Sequence, residues 1–309
     1  MSVMLTFPGQ GSQRAGMLHR LPDHPEAART LAEAGAVLGT DPLALDTPGA
    51  LASSRAVQLC LLVAGVAMAR TLTALGARPA MVAGLSIGAF PAAVVAGALD
   101  YADAVALVAR RGKLMDDAYP VGHGMAAIVG LGQQQVEALI AQVHARDNPV
   151  YLANLNAPQQ FVISGADSAL EAVAALARAQ GASKAERLAV SVPSHCELFD
   201  QAAEDMRAAF AGVELRRPRI IFLSSSAARR LSDPERIAED LATNMARQVH
   251  WAETARLAWE RGARLAVEMP SGLTLTSLTA PLFSEGVAIG CDNTPLETIL
   301  ALGERFTRS

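Results

Sequence analysis

Gly84-Leu85-Ser86-Ile87-Gly88 is a G-x-S-x-G segment, with a short apolar stretch before it and a helix-forming stretch after it. A strand–turn–helix setting is what an exposed nucleophilic serine requires. The glycines permit a tight turn and leave room around the serine. Ser86 would then stand at a helix N-terminus, where main-chain N–H groups can face a developing oxyanion. The plainer alternative is a strand–helix turn with a capping serine. A serine hydroxyl also needs a base. The six histidines are His19, His24, His123, His144, His195 and His250. His195 is the best candidate among them, because it follows Ser191-Val192-Pro193-Ser194, where a strand ends near a domain boundary. His144 reads as a polar helix end, His123 as part of a glycine-flanked linker, and His19 and His24 as polar surface. Cys196 reads as a buried structural thiol rather than a rival nucleophile. A histidine base implies an activity limb at pH about 6 to 7.

The elements around these residues form an alternating pattern. Val3–Phe7 reads as a buried strand running into a glycine-rich loop, and Pro79–Leu85 as a second strand. Helices are expected at Ala56–Leu75, Phe90–Ala98 and Ala104–Tyr119, the last capped by Asp103. The pattern changes near Gly122. Strand, helix, strand, strand, helix, strand follow at Met125–Leu131, Gln134–Ala145, two strands within Val150–Ser164, Ala169–Gln180 and Ala185–Val192. That is the split βαβ order of a ferredoxin-like module. After Pro193 come a helix at Glu197–Phe210, a strand at Arg219–Ser224 and helices at Pro234–Val249 and Trp251–Arg261. Strands at Leu265–Met269 and Gly286–Gly290 follow. The expected fold is α/β, an α/β-hydrolase-like core with a mostly parallel sheet and an inserted ferredoxin-like subdomain. The large domain covers residues 1–121 and 194–309, and the small one covers 122–193.

Composition narrows the class. The 309 residues are 51% hydrophobic and 18% charged, which is globular, and ample for a buried core. Aromatics are only 4%, so close helix–sheet contact through alanine must do much of the packing. A net charge of -4 without a basic run argues against nucleic acid. Cys60, Cys196 and Cys291 are odd in number and form no CxxC, which fits a reducing cytoplasm. The N-terminus does not read as a signal peptide. The apolar run Gln58–Ala69 reads as a buried helix too short to span a membrane. No metal-ligand cluster or P-loop is evident, and no bound cofactor is expected.

Three segments together resemble the malonyl-CoA:acyl carrier protein transacylase family: Phe7-Pro-Gly-Gln-Gly-Ser-Gln13, Gly84–Gly88 and Ser191-Val-Pro-Ser-His-Cys196. Arg111-Gly112-Lys113-Leu114-Met115 is similar to that family's arginine helix. The resemblance implies Ser86 as acylated nucleophile, His195 as base and Arg111 as partner of the malonyl carboxylate. It implies an oxyanion hole from the N–H groups of Gln10 and Ile87. It also implies that a main-chain carbonyl orients His195, assigned to His250, the residue before Trp251. One departure stands out. Fatty-acid transacylases usually read Gly-His-Ser-Leu-Gly followed by an acidic residue, whereas this chain reads Gly-Leu-Ser-Ile-Gly-Ala-Phe-Pro. That form resembles the epsilon subunit of malonate decarboxylase. The implied substrates are malonyl-CoA and a small acyl carrier protein bearing a phosphoribosyl-dephospho-CoA thiol, with the other decarboxylase subunits as partners. The fatty-acid acceptor is the alternative. The residues alone leave open a serine esterase or thioesterase, and a non-catalytic interaction subunit on the same fold.

Overall fold

Short apolar stretches become strands buried on both faces, and the alanine-rich stretches between them become helices that cover the sheet. The computed structural model describes residues 2–119 and 121–308. The first run comprises β1 (Ser2–Phe7), α1 (Pro25–Leu38), α2 (Ser54–Ala74), β2 (Met81–Gly84), α3 (Ala89–Val95) and α4 (Tyr101–Ala118). The chain then forms β3 (His123–Val129), α5 (Gln133–Val143), β4 (Val150–Ala157), β5 (Gln160–Ala166), α6 (Asp167–Ala179) and β6 (Lys184–Arg187). The last run holds α7 (Asp200–Phe210), β7 (Ile221–Ser224), β8 (Arg229–Leu231), α8 (Pro234–Thr243) and α9 (Trp251–Glu260). It closes with β9 (Ala263–Glu268), α10 (Thr274–Thr279), β10 (Val287–Gly290) and α11 (Leu296–Arg308).

The large sheet runs β10-β9-β1-β2-β7-β8 and is parallel except for the β7–β8 edge pair. The small sheet runs β4-β5-β3-β6, antiparallel throughout, with α5 and α6 packed on it over a separate apolar core. The architecture is therefore the expected α/β one, a mostly parallel sheet with a ferredoxin-like antiparallel module in its connection. β1 and β2 lie side by side in the middle of the large sheet, so the loops leaving their C-terminal ends meet.

α2 is 21 residues long and holds an 18-residue stretch with a mean hydropathy of 1.6, enough by length and composition to cross a bilayer. The expectation that its apolar run is too short falls on this point. Nearly all of the helix is buried among α1, α3 and α4, which makes it the central core helix. α2 and α4 cross very closely: a Cβ on Gly112 would lie 2.3 Å from the Cα of Arg55. Asp116 reinforces this crossing by accepting from Ser53 Oγ and the Ser54 amide, both at 2.7 Å, at the start of α2.

Three expected elements differ. α4 starts at Tyr101 with Asp100 before it, so Asp103 lies within the first turn rather than at the cap. β6 stops at Arg187 because Val190 and Val192 are buried in the large core instead of continuing the small sheet. The helix expected over Pro234–Val249 ends at Thr243 and gives way to a 3-10 turn at Asn244–Ala246. Extended backbone is imposed beyond it, because Val249 pairs with β4: its N–H reaches Ala153 O at 2.9 Å and its carbonyl accepts from Leu155 N at 2.7 Å.

The α2–α4 contact yields a stability prediction. Gly112→Ala forces the helices apart and lowers unfolding stability by about 1–3 kcal/mol. Gly303→Ala, in α11 where a Cβ meets nothing within 4 Å, leaves stability unchanged or raises it by up to about 1 kcal/mol. Urea unfolding midpoints of the two variants measure the contrast.

Candidate active site

Ser86 leaves the end of β2 with φ 56, a left-handed conformation that costs a residue with a Cβ. The turn is shaped by close backbone approach. A Cβ on Gly84 would lie 2.0 Å from the Gly88 carbonyl, and one on Gly88 would lie 2.1 Å from the Phe7 carbonyl. The elbow is therefore pressed against itself and against the loop leaving β1. That loop carries Gln10, whose side chain donates to Ser54 Oγ at 3.3 Å, anchoring it to the start of α2. Ile87 is the middle residue of the 3-10 turn Ser86–Gly88, which leads directly into α3. The loop that carries Gln10 and the turn that carries Ile87 are thus in contact, through Gly88 on Phe7 and Gly9 on Leu85.

Arg111 is 1% exposed, whereas its neighbour Arg110 is exposed. The buried guanidinium is held by neutral groups. Nη1 donates to Gln58 Oε1 at 2.6 Å, and Nη2 donates to Asn244 Oδ1 at 3.0 Å and Ser86 Oγ at 3.3 Å. Phe90 lies beneath it, with its ring centre 6.0 Å from Cζ. Nε is buried without a partner, and no carboxylate forms an ion pair with the group among the described residues. Burial brings its pKa down to about 9, so it stays cationic at neutral pH. A cation at this distance favours the alkoxide form of Ser86.

His195 also sits at positive φ, 69, and is buried. Its N–H donates to Met245 O at 2.6 Å. Its Nδ1 lies 2.9 Å from Asn244 O and 3.0 Å from Arg247 O. Both partners are carbonyls, which only accept, so Nδ1 carries the proton and Nε2 keeps its lone pair. That is the tautomer a general base needs. Burial, and then the Arg111 charge, press its pKa down to about 4 against the opposing pull of the two carbonyls. This revises the expected limb near 6 to 7. Ser86 Oγ pairs with Arg111 and not with His195 among the described residues.

His250 does not orient the base. Its carbonyl accepts from Thr254 N and Oγ1 at 3.0 and 2.8 Å, closing the first turn of α9. The orienting carbonyls belong to Asn244 and Arg247, just beyond the early end of α8, and that of Asn244 also accepts from Arg247 N at 3.3 Å. The His250 side chain instead lines a cleft of about 400 Å³ beside His195, between β4 and residues 246–250. Sequence reasoning also missed Gln58 and Asn244 as partners of Arg111. A lone glutamine in the apolar run of α2 was a legible signal, but nothing marked Asn244.

Comparison with known proteins agrees with this geometry. The acyl transferase domain family model matches residues 4–288. The malonyl CoA-acyl carrier protein transacylase of Escherichia coli is 37% identical over 279 residues, covering 88% of this chain and 90% of that protein. The solved malonyl CoA-acyl carrier protein transacylase of Coxiella burnetii superposes with a TM-score of 0.92 at 34% identity, over 99% of this chain and 98% of its own. A malonyl-transacylase solved in complex with a type II PKS acyl-carrier protein gives 0.91 at 34% identity, over 99% and 100%. The chain belongs to the acyl transferase family, among the malonyl-CoA:acyl carrier protein transacylases.

The electrostatics predict a pH profile. Only neutral His195 can act as base, so acylation falls as pH drops through about 4. Removing the Arg111 charge relieves the second cause of that depression, so in Arg111→Ala the acid limb moves upward, toward the ordinary histidine range. Single-turnover acylation by p-nitrophenyl acetate, followed from pH 3.5 to 8 in both proteins, measures the two limbs.

Proposed function

We propose that this protein moves malonyl from malonyl-CoA to the thiol of an acyl carrier protein in the cytoplasm, through a malonyl ester on Ser86. The observation that carries the reading is the buried cation of Arg111, held by neutral partners alone among the described residues, 3.3 Å from Ser86 Oγ. Such a group calls for an anionic ligand, and a carboxylate offers it a two-point partner. Malonyl carries that carboxylate and acetyl does not.

The reading assigns each residue a step. Ser86 Oγ attacks the thioester carbonyl while His195 Nε2 takes its proton. The N–H groups of Gln10 and Ile87 receive the oxyanion, in a site where fixed donors need no rearrangement. Collapse expels the CoA thiolate, which takes the proton from His195. The carrier thiol then gives its proton to His195 and attacks the malonyl ester, and the departing Ser86 oxygen takes that proton back from His195. The cleft beside His195 is the route we assign to the pantetheine-type arm.

The names of the relatives favour an acyl carrier protein of the fatty-acid or polyketide type as acceptor. Leu85-Ser86-Ile87-Gly88-Ala89-Phe90-Pro91 favours a second reading, the carrier of a malonate decarboxylase within that enzyme's complex. Transfer assays with the two purified carriers distinguish the readings by kcat/KM.

Incubation with malonyl-CoA is expected to add one malonyl mass to the peptide containing Ser86, and Ser86→Ala to abolish it. Label on Cys196 instead would falsify the serine route. Arg111→Ala is expected to lower the malonyl-to-acetyl ratio of kcat/KM by at least about tenfold, equivalent to about 1.4 kcal/mol. Exposed Arg110→Ala serves as the control and leaves the ratio in place.

A further inference from the structure

Asn244 touches three parts of the site at once. Its side-chain Oδ1 accepts from Arg111 Nη2 at 3.0 Å, and its Nδ2 donates to the Ser86 carbonyl at 3.2 Å. Its main-chain carbonyl accepts from His195 Nδ1 at 2.9 Å. The division of labour is useful, because the backbone serves the base and the side chain serves the cation. A side-chain substitution therefore leaves the carbonyl beneath His195 in place.

The chemical type of that side chain matters. An amide oxygen holds Nη2 without cancelling its charge. A carboxylate in the same place would form an ion pair and neutralise the site before any ligand arrived. Gln58 provides the second neutral hold, on Nη1. Both N–H groups of Nη2 are already taken, by Asn244 Oδ1 and Ser86 Oγ, so an incoming carboxylate reaches it by displacing one of these two acceptors.

We propose that the Asn244 side chain is a specificity-determining positioning residue, a neutral latch that parks Arg111 in front of Ser86 and yields Nη2 to the carboxylate of a dicarboxylic acyl group. The proposal rests on the malonyl reading above and adds the element that keeps the guanidinium both fixed and unneutralised. An aspartate here would be a built-in competitor for the substrate carboxylate. A glutamine would keep the neutral hold on a longer stem.

The test is steady-state kinetics of malonyl-CoA and acetyl-CoA with wild type, Asn244→Asp, Asn244→Gln and Asn244→Ala, with thermal melts of each. Asn244→Asp is nearly isosteric and is expected to raise the malonyl KM by at least about tenfold, with a smaller change in kcat. Its malonyl-to-acetyl ratio of kcat/KM should fall in step. Asn244→Gln should recover most of the malonyl KM, and Asn244→Ala should fall between the two. A malonyl KM in Asn244→Asp equal to that of wild type overturns the latch. So does an equal proportional loss of malonyl and acetyl turnover across the variants, which is what a merely structural role gives. Failure of the malonyl reading itself is a separate outcome, seen as wild type that forms no malonyl-Ser86, and it removes the latch with it.

Discussion

A buried guanidinium without an anionic partner among the described residues organises this molecule. Taking a charge out of water costs several kcal/mol even after the surroundings relax. Hydrogen bonds to a charged group return about 1.5–3 kcal/mol each. Gln58, Asn244 and Ser86 supply three for Arg111, and Phe90 adds its ring face. These can offset much of the desolvation, but they leave the charge itself uncancelled and Nε unpartnered. The site is therefore stable enough to fold and still favours an anion. The same charge depresses the pKa of His195, so the cation and the base are coupled before any substrate binds.

Much of the surrounding architecture serves to hold that arginine where it is. α4 carries it, and α2 supplies both the glutamine that grips it and the helix against which α4 is pressed at Gly112. Asp116, one and a half turns beyond Arg111, ties α4 to the first residues of α2. Those residues in turn bind Gln10, on the loop expected to supply an oxyanion donor. One helix crossing thus sets the distance between the carboxylate-binding group and the oxyanion loop.

The strain at the site is sustained by what surrounds it. Ser86 and His195 both adopt positive φ, at a cost of order 1–3 kcal/mol each. Ser86 is wedged by the contact of Gly84 with Gly88 and by the bond from Asn244 Nδ2 to its carbonyl. His195 is fixed by its N–H to Met245 O and its ring to two further carbonyls. Residues 244–247 therefore carry the base in place of the acidic third residue of many serine enzymes. They lie where α8 has ended at Thr243 and Val249 is pulled into an extended pairing with β4, which leaves their carbonyls facing the imidazole.

By itself, the sequence determined the strand–turn–helix at Ser86, the alternation that yields a parallel sheet, and the ferredoxin-like order of residues 123–187. Each of these rests on local physics: apolar periodicity, glycines at a tight turn, and turn residues between strands. It made His195 the best candidate among six histidines, whereas Arg111 came from the family resemblance, because the burial that separates Arg111 from Arg110 depends on how α4 is rotated against α2. The partners of these residues were decided only by the tertiary structure. Asn244, Arg247 and Gln58 lie 49 to 133 positions from the side chains they hold. Helical character over Pro234–Val249 pointed away from the carbonyls that orient the base, and the role that the family resemblance assigned to His250 is denied by its place at the start of α9. A pairing to β4 about 95 residues earlier in the chain overrides the local helical preference, and a contact of that range leaves no periodic mark in either segment.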